Sequence, residues 1–174
     1  MRAFCGLMFL AFLSFDAYAT SRGWNGEPRI VSIGNVPGVC LPDDAKEDFP
    51  VSRVLLSESY VSRPLDWELR LKPNAAPLIL KPGECIKFGY VPSGYAIDEA
   101  SGLYELKVNT IYVFIVDRVV DADHYNYFYS AAFCVSKNAE GVYEYLQYSR
   151  LPNGGEVIPS CDSKRNKRVS HGEG

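Results

Sequence analysis

Alternation of apolar and polar residues at every second position is the feature that most restricts how this chain can fold. It is clearest over 67–72, where the sequence reads Trp-Glu-Leu-Arg-Leu-Lys. This pattern is typical of a β-strand that buries one face and exposes the other to water. Helical spacing is not sustained over more than a few turns in any segment, so we expect strands throughout the chain.

Turn signals rich in Pro, Gly and Asn separate several further strand candidates. The predicted strands are 29–33, 38–41, 51–60, 67–72, 78–80, 84–90, 104–108, 110–117, 125–136 and 142–148. The turn that ends at Gly141 predicts a hairpin between the last two, because glycine supplies the positive φ of a tight reversal. The segment 110–116 is apolar at nearly every position, which predicts a central strand covered on both faces. Short strands at this spacing predict an all-β fold, a single antiparallel β-sandwich for which an immunoglobulin-like arrangement is one candidate.

The length and composition suit one globular domain with its own core. The chain has 174 residues, of which 47% are hydrophobic and 22% charged. That apolar fraction excludes a disordered or low-complexity chain. The formal net charge is −3, whereas a dedicated nucleic-acid binder usually carries a strongly basic face, so we expect no nucleic-acid partner.

The first residues have the layout of a secretory signal peptide. Arg2 precedes an uncharged apolar run over 3–15, and Ala17-Tyr18-Ala19 follows as a small-x-small cleavage pattern. The run is shorter than the ~18 apolar residues of a membrane span, and no cysteine comes directly after it, so we expect neither a span nor a lipid anchor. We therefore predict a signal peptide (1–19) cleaved after Ala19, a β-sandwich domain (20–161) and a polar C-terminal tail (162–174).

Four cysteines remain once Cys5 leaves with the signal peptide: Cys40, Cys85, Cys134 and Cys161. An even number is what full pairing in an oxidising compartment requires, although four cysteines allow three connectivities and the sequence alone does not choose. We prefer Cys40 with Cys85 and Cys134 with Cys161, since the second bridge would tie the polar tail to a strand. A zinc site is disfavoured because the spacings contain no close C-x-x-C pair.

Groups suited to catalysis are few. The chain has two histidines, His124 and His171, and it carries no G-x-S-x-G, P-loop or H-E-x-x-H motif. Turn chemistry accounts for Asp121 and Asp123 beside His124 without a metal ion. We therefore expect a protein that is not an enzyme, with no cofactor and no metal.

Tyrosine is the residue type best placed for binding. Tyr125, Tyr127 and Tyr129 recur at period two, and Tyr143 and Tyr145 do the same on the strand across the predicted hairpin. Tyrosine rings are common anchors in protein-binding surfaces, so we predict that these five side chains bind a partner. The alternative is that the rings cover a sheet edge or the rim of the core.

Four short motifs resemble a known family. They are Val-Cys-Leu at 39–41, Leu-Lys-Pro-Gly-Glu-Cys-Ile at 80–86, Thr-Ile-Tyr-Val-Phe-Ile-Val at 110–116 and Phe-Cys-Val at 133–135. With them the chain resembles, over about 30–161, small exported type VI secretion immunity proteins of the bacterial periplasm. The resemblance implies a non-catalytic, β-rich periplasmic protein that binds and neutralises a protein toxin, but it assigns no residue roles. Family members are typically lipoproteins, which this chain is not expected to be. The alternative is an envelope structural, adhesion or carbohydrate-binding β-sandwich.

Overall fold

The computed structural model of the chain describes residues 27–119, 128–150, 156–157 and 161. The predicted signal peptide (1–19) and polar tail (162–174) lie outside these residues. Within them the regular secondary structure is all β, and no helix is long and apolar enough to cross a membrane. The strands in chain order are β1 (Arg29–Ile33), β2 (Val36–Cys40), β3 (Phe49–Glu58), β4 (Asp66–Leu71), β5 (Ile79–Leu80), β6 (Cys85–Lys87), β7 (Tyr95–Ile97), β8 (Ile111–Arg118), β9 (Phe128–Lys137), β10 (Tyr143–Gln147), β11 (Ser149–Arg150) and β12 (Glu156–Val157).

The strands form two sheets around one core, which confirms the predicted antiparallel β-sandwich. A seven-stranded sheet has the order β10-β9-β8-β3-β4-β7, with β5 also paired to β3. A three-stranded sheet has the order β1-β2-β6, and β11 and β12 form a separate pair. Buried side chains of both larger sheets belong to the same hydrophobic cluster. The predicted hairpin is also confirmed, since β9 and β10 pair around Gly141, whose φ is 79°.

Strand β8 shows how the sheets divide the core from the outer face. Its inward residues Tyr112, Phe114 and Val116 are almost fully buried, while the residues between them are half-buried. The segment 110–116 is therefore central, as predicted, but it is not buried equally on both faces. The reason is that, among the described residues, the small sheet covers one face of the large sheet.

The segment 104–108 is a loop, contrary to the strand predicted there. Leu103, just before the segment, and Leu106 within it are both buried in the core, at a spacing of three rather than two. The backbone N–H of Lys107 donates to the Tyr112 hydroxyl at 2.9 Å. A side chain thus satisfies a backbone group that a strand would have paired in a ladder.

Both preferred disulfides are confirmed. Cys40 and Cys85 face each other on β2 and β6, and Cys134 on β9 is bonded to Cys161. The second bridge brings the chain back over β9 after it has passed through β10, β11 and β12. Because disulfides of this structural kind persist where thiols are not kept reduced, the pairing indicates an oxidising compartment.

A side chain ties the edges of the two sheets together. The Ile30 N–H donates to Oε1 of Gln147 at 2.6 Å, and Nε2 of Gln147 donates to the Pro28 carbonyl at 2.7 Å. One turn of the small sheet is bonded in the same way, since the Tyr145 hydroxyl donates to the Asn35 carbonyl at 2.6 Å. These bonds hold β1 beside β10 and close one side of the sandwich.

Candidate functional site

The predicted tyrosine face exists as one face of β9 and β10. Tyr143 and Tyr145 pair with odd-numbered residues of β9, so Tyr129 shares their side of the sheet. Tyr125 and Tyr127 lie outside the described residues. For the three described tyrosines the period-two pattern correctly predicted which side chains point the same way.

This face points into the sandwich. Tyr129 is only 6% exposed, and its ring centroid lies 5.1 Å from that of Phe49. Tyr145 packs edge-on against Phe133 at 5.9 Å, and burial raises the pKa of its hydroxyl. Tyr143 is also half-buried against the core. The alternative, in which the rings cover the rim of the core, describes these three side chains, and their binding of a partner stays a prediction.

Exposed apolar side chains concentrate at another place, one end of the sandwich that we call the loop end. It consists of the β3–β4 loop (59–65), the segment 98–110 and the β9–β10 turn (138–142), which all leave the same end of the large sheet. Of the eleven exposed large apolar residues in the described chain, six lie here: Tyr60, Val61, Leu65, Tyr104, Val108 and Val142. Tyr60 is 89% exposed and Tyr104 78%. Such a concentration commonly marks an interaction surface.

The backbone of Tyr60 is held in a conformation that its residue type disfavours. Its φ is 60°, in the left-handed region. The other non-glycine residues with positive φ in the described chain are Asn35, Asn74 and Asn109, and asparagine tolerates this region because its side chain bonds locally. For tyrosine the cost is about 1–2 kcal/mol. Strain of this kind persists where the surrounding structure fixes it, and it is frequent at binding sites.

A buried carboxylate fixes the two long segments of the loop end. Glu58, at the end of β3, accepts a hydrogen bond on Oε2 from the Leu65 N–H at 3.0 Å. Its Oε1 lies 2.9 Å from Nζ of Lys107 in the segment 98–110. Leu65 in turn packs over Gly102, where an added Cβ would lie 3.3 Å from its Cδ2. Glu58 therefore joins both segments to the sheet, and we call these two interactions of its carboxylate the Glu58 clip.

The clip gives the loop end an acid-sensitive contribution to stability. The hydrogen bond from the Leu65 backbone, with the Lys107 ammonium, lowers the pKa of Glu58. A carboxyl whose folded pKa is depressed stabilises the fold above its unfolded pKa of about 4.3, and this contribution is lost as pH falls through the folded value.

We therefore expect Glu58→Gln to lower the free energy of unfolding by about 1 kcal/mol at pH 7, because the amide still accepts from Leu65 but loses the ion pair. Denaturant unfolding at pH 7 and pH 3 measures this effect. The difference in the free energy of unfolding between wild type and variant should be smaller at pH 3 than at pH 7. Glu105→Gln is the matched control, since that carboxylate is exposed. A difference in the free energy of unfolding that is equal at both pH values would contradict the acid-sensitive contribution of Glu58.

Two aromatic residues of the loop end lie in segments for which the sequence predicts strands. Tyr60 belongs to the predicted strand 51–60 and Tyr104 to the predicted strand 104–108, whereas the structure places both in loops. The Ser-Arg-Pro run at 62–64 is a turn signal that ends the first of these strands early. An aromatic residue next to such a turn is a candidate for exposure on a loop.

The described residues contain no group of three or more His, Cys, Asp and Glu side chains placed to hold a metal ion. Asp121, Asp123 and His124 lie outside the described part of the chain. The site that the structure does offer is an apolar surface with two prominent tyrosine rings, which suits binding of a macromolecule. No protein family, curated protein or solved structure matches this chain.

Proposed function

We propose that this protein is an exported, non-catalytic protein that binds a protein toxin in the periplasm and neutralises it. The observation that carries the proposal is the loop end, where strained and clipped loops hold Tyr60 and Tyr104 exposed. Exposed tyrosines on a rigid support are effective anchors, because few rotamers are lost when the partner binds.

Two further observations support the proposal. Both disulfides are of the kind found in exported proteins, and the Cys40–Cys85 and Cys134–Cys161 pairs are formed. The motifs at 80–86 and 110–116 resemble those of periplasmic immunity proteins. Neutralisation in this proposal is steric: the rigid surface covers the toxin's active site, so the protein needs no chemistry of its own.

The test is a binding and protection experiment. The oxidised mature chain, 20–174, is mixed with the purified product of a toxin-like gene adjacent to its own gene, and binding is measured by calorimetry. A one-to-one complex, together with suppression of cell killing when both are exported, is the expected result. An intact complex without protection would contradict neutralisation.

The same purified mature chain distinguishes the proposed function from the alternative, an adhesion or carbohydrate-binding module. Retention of the mature chain on glycans or envelope polymers, with no binding to the toxin-like protein, would favour it. The discriminating variant is Tyr60→Ala with Tyr104→Ala, compared with Tyr90→Ala, which removes an exposed ring outside the loop end.

A further inference from the structure

We propose that the loop end is the docking surface for a cationic protein, with Tyr60 and Tyr104 at the centre of the interface and acidic residues at its rim. The inference deepens the proposed function, on which it rests for the partner being a protein. It adds where on this protein the interface lies and which charge the partner's surface carries.

The centre follows from the two most exposed aromatic rings of the described chain. Tyr60 is kept in a left-handed backbone conformation that a glycine or asparagine would adopt with less strain. Its side chain is 89% exposed, so packing within the chain does not account for the choice of tyrosine. Tyr104 is held by its own hydroxyl, which donates to the Ser101 carbonyl at 2.9 Å. The Tyr104 ring is therefore held in place by its own hydroxyl, and the Tyr60 ring extends into solvent from a strained backbone.

The rim is the part of the loop end that surrounds the two tyrosine rings. It carries more negative than positive charge that is not already in an ion pair with a described residue. At the loop end, three exposed carboxylates form no ion pair with a described residue: Glu99, Glu105 and Glu140.

The cations at the same end are largely engaged. Lys107 is bonded to Glu58, and Nζ of Lys137 lies 4.5 Å from the Tyr143 ring centroid. Arg63 is the remaining cation of the loop end without an ion pair in the described chain. An apolar centre inside a mainly acidic rim is complementary to a protein that presents an apolar contact within a basic surface.

A cross-linking experiment locates the interface without assuming the identity of the partner. The full chain is expressed in the host strain with the photo-cross-linker p-benzoylphenylalanine in place of Tyr104. The matched control places it at Tyr90, which is 47% exposed and lies outside the loop end. The expected result is an adduct at position 104 and none at position 90, with one protein of basic isoelectric point identified by mass spectrometry.

The partner so identified is then purified and its affinity is measured against variants. Tyr60→Asn should lower the affinity at least tenfold while the thermal midpoint stays equal or rises, because asparagine tolerates the left-handed backbone. Replacing the three rim glutamates by glutamine should slow association at least tenfold at low salt and reduce its dependence on ionic strength. Asp44→Asn, Asp48→Asn and Glu84→Gln together control for net charge, since these three exposed carboxylates lie outside the loop end and their replacement changes the net charge by the same amount.

The outcomes separate this inference from the proposed function. A basic partner that docks at the loop end but has no toxicity leaves the surface standing and overturns neutralisation. A toxin that binds with unchanged affinity to the Tyr60→Asn and rim variants overturns the surface and leaves neutralisation standing. An adduct with the chain's own basic tail (164–168), an adduct with a second copy, or no adduct at position 104 would each overturn the inference.

Discussion

Removal of the Cys40–Cys85 disulfide by Cys40→Ala with Cys85→Ala is expected to lower the free energy of unfolding by about 2–4 kcal/mol. The bridge joins residues 45 apart in sequence, so its loss gives the unfolded chain a large gain in conformational freedom. It also supports a weak element: β6 has three residues and pairs in the described sheets with β2. Without the bridge, β6 should separate from β2 before the rest of the sandwich opens.

Denaturant unfolding measures the loss, and amide hydrogen exchange locates it. We expect faster exchange over 85–87 in this variant. Cys134→Ala with Cys161→Ala is the comparison, because β9 keeps its ladders with β8 and β10 when that bridge is lost. Unchanged protection of β6 without the Cys40–Cys85 bridge would show that packing of Ile86, rather than the disulfide, holds the strand.

Tyr129→Ala is expected to lower the free energy of unfolding by about 3–5 kcal/mol, the range for loss of a buried aromatic ring. The ring is 6% exposed and packs on Phe49, so its truncation leaves a cavity in the core. Tyr129→Phe keeps the ring and should retain most of that stability. Tyr90→Ala removes a ring that is 47% exposed and should change the stability by less than about 0.5 kcal/mol.

The same three variants decide whether β9 tyrosines bind a partner. If Tyr129→Ala unfolds at the denaturant concentration of the wild type but no longer binds the partner, the ring is a binding residue and its burial in the core is refuted. Loss of stability with retained binding by Tyr129→Phe is the expected outcome.

The fold class was predictable because it depends on patterns that are local in sequence. Period two in 67–72 and the turn at Gly141 each specify a strand or a reversal without reference to the rest of the chain. The disulfide pairing rests on a different argument, that a bridge from Cys134 to Cys161 ties the polar tail to a strand, and four cysteines on their own allow three connectivities. Patterns that are local in sequence show which side chains share a face.

They do not show which face another layer covers. Tyr129 and Tyr143 share a face, as predicted, but the small sheet lies over it. Which face of a sheet is covered depends on how the two sheets pack, and a local sequence pattern does not contain that information. The candidate site was missed for a related reason. A left-handed backbone is usually signalled by glycine or asparagine, so Tyr60 gives no sign of it in sequence.

The amide of Gln147 has a consequence for how the protein behaves at high concentration. An edge strand with free N–H and C=O groups is a template on which a second chain can add a strand and begin aggregation. Gln147 occupies the backbone groups of Pro28 and Ile30 along the edge of β1. A side chain thus acts as a substitute for a neighbouring strand, and it protects this edge without extending the sheet. This protection should make the folded protein resist aggregation by strand addition at this edge.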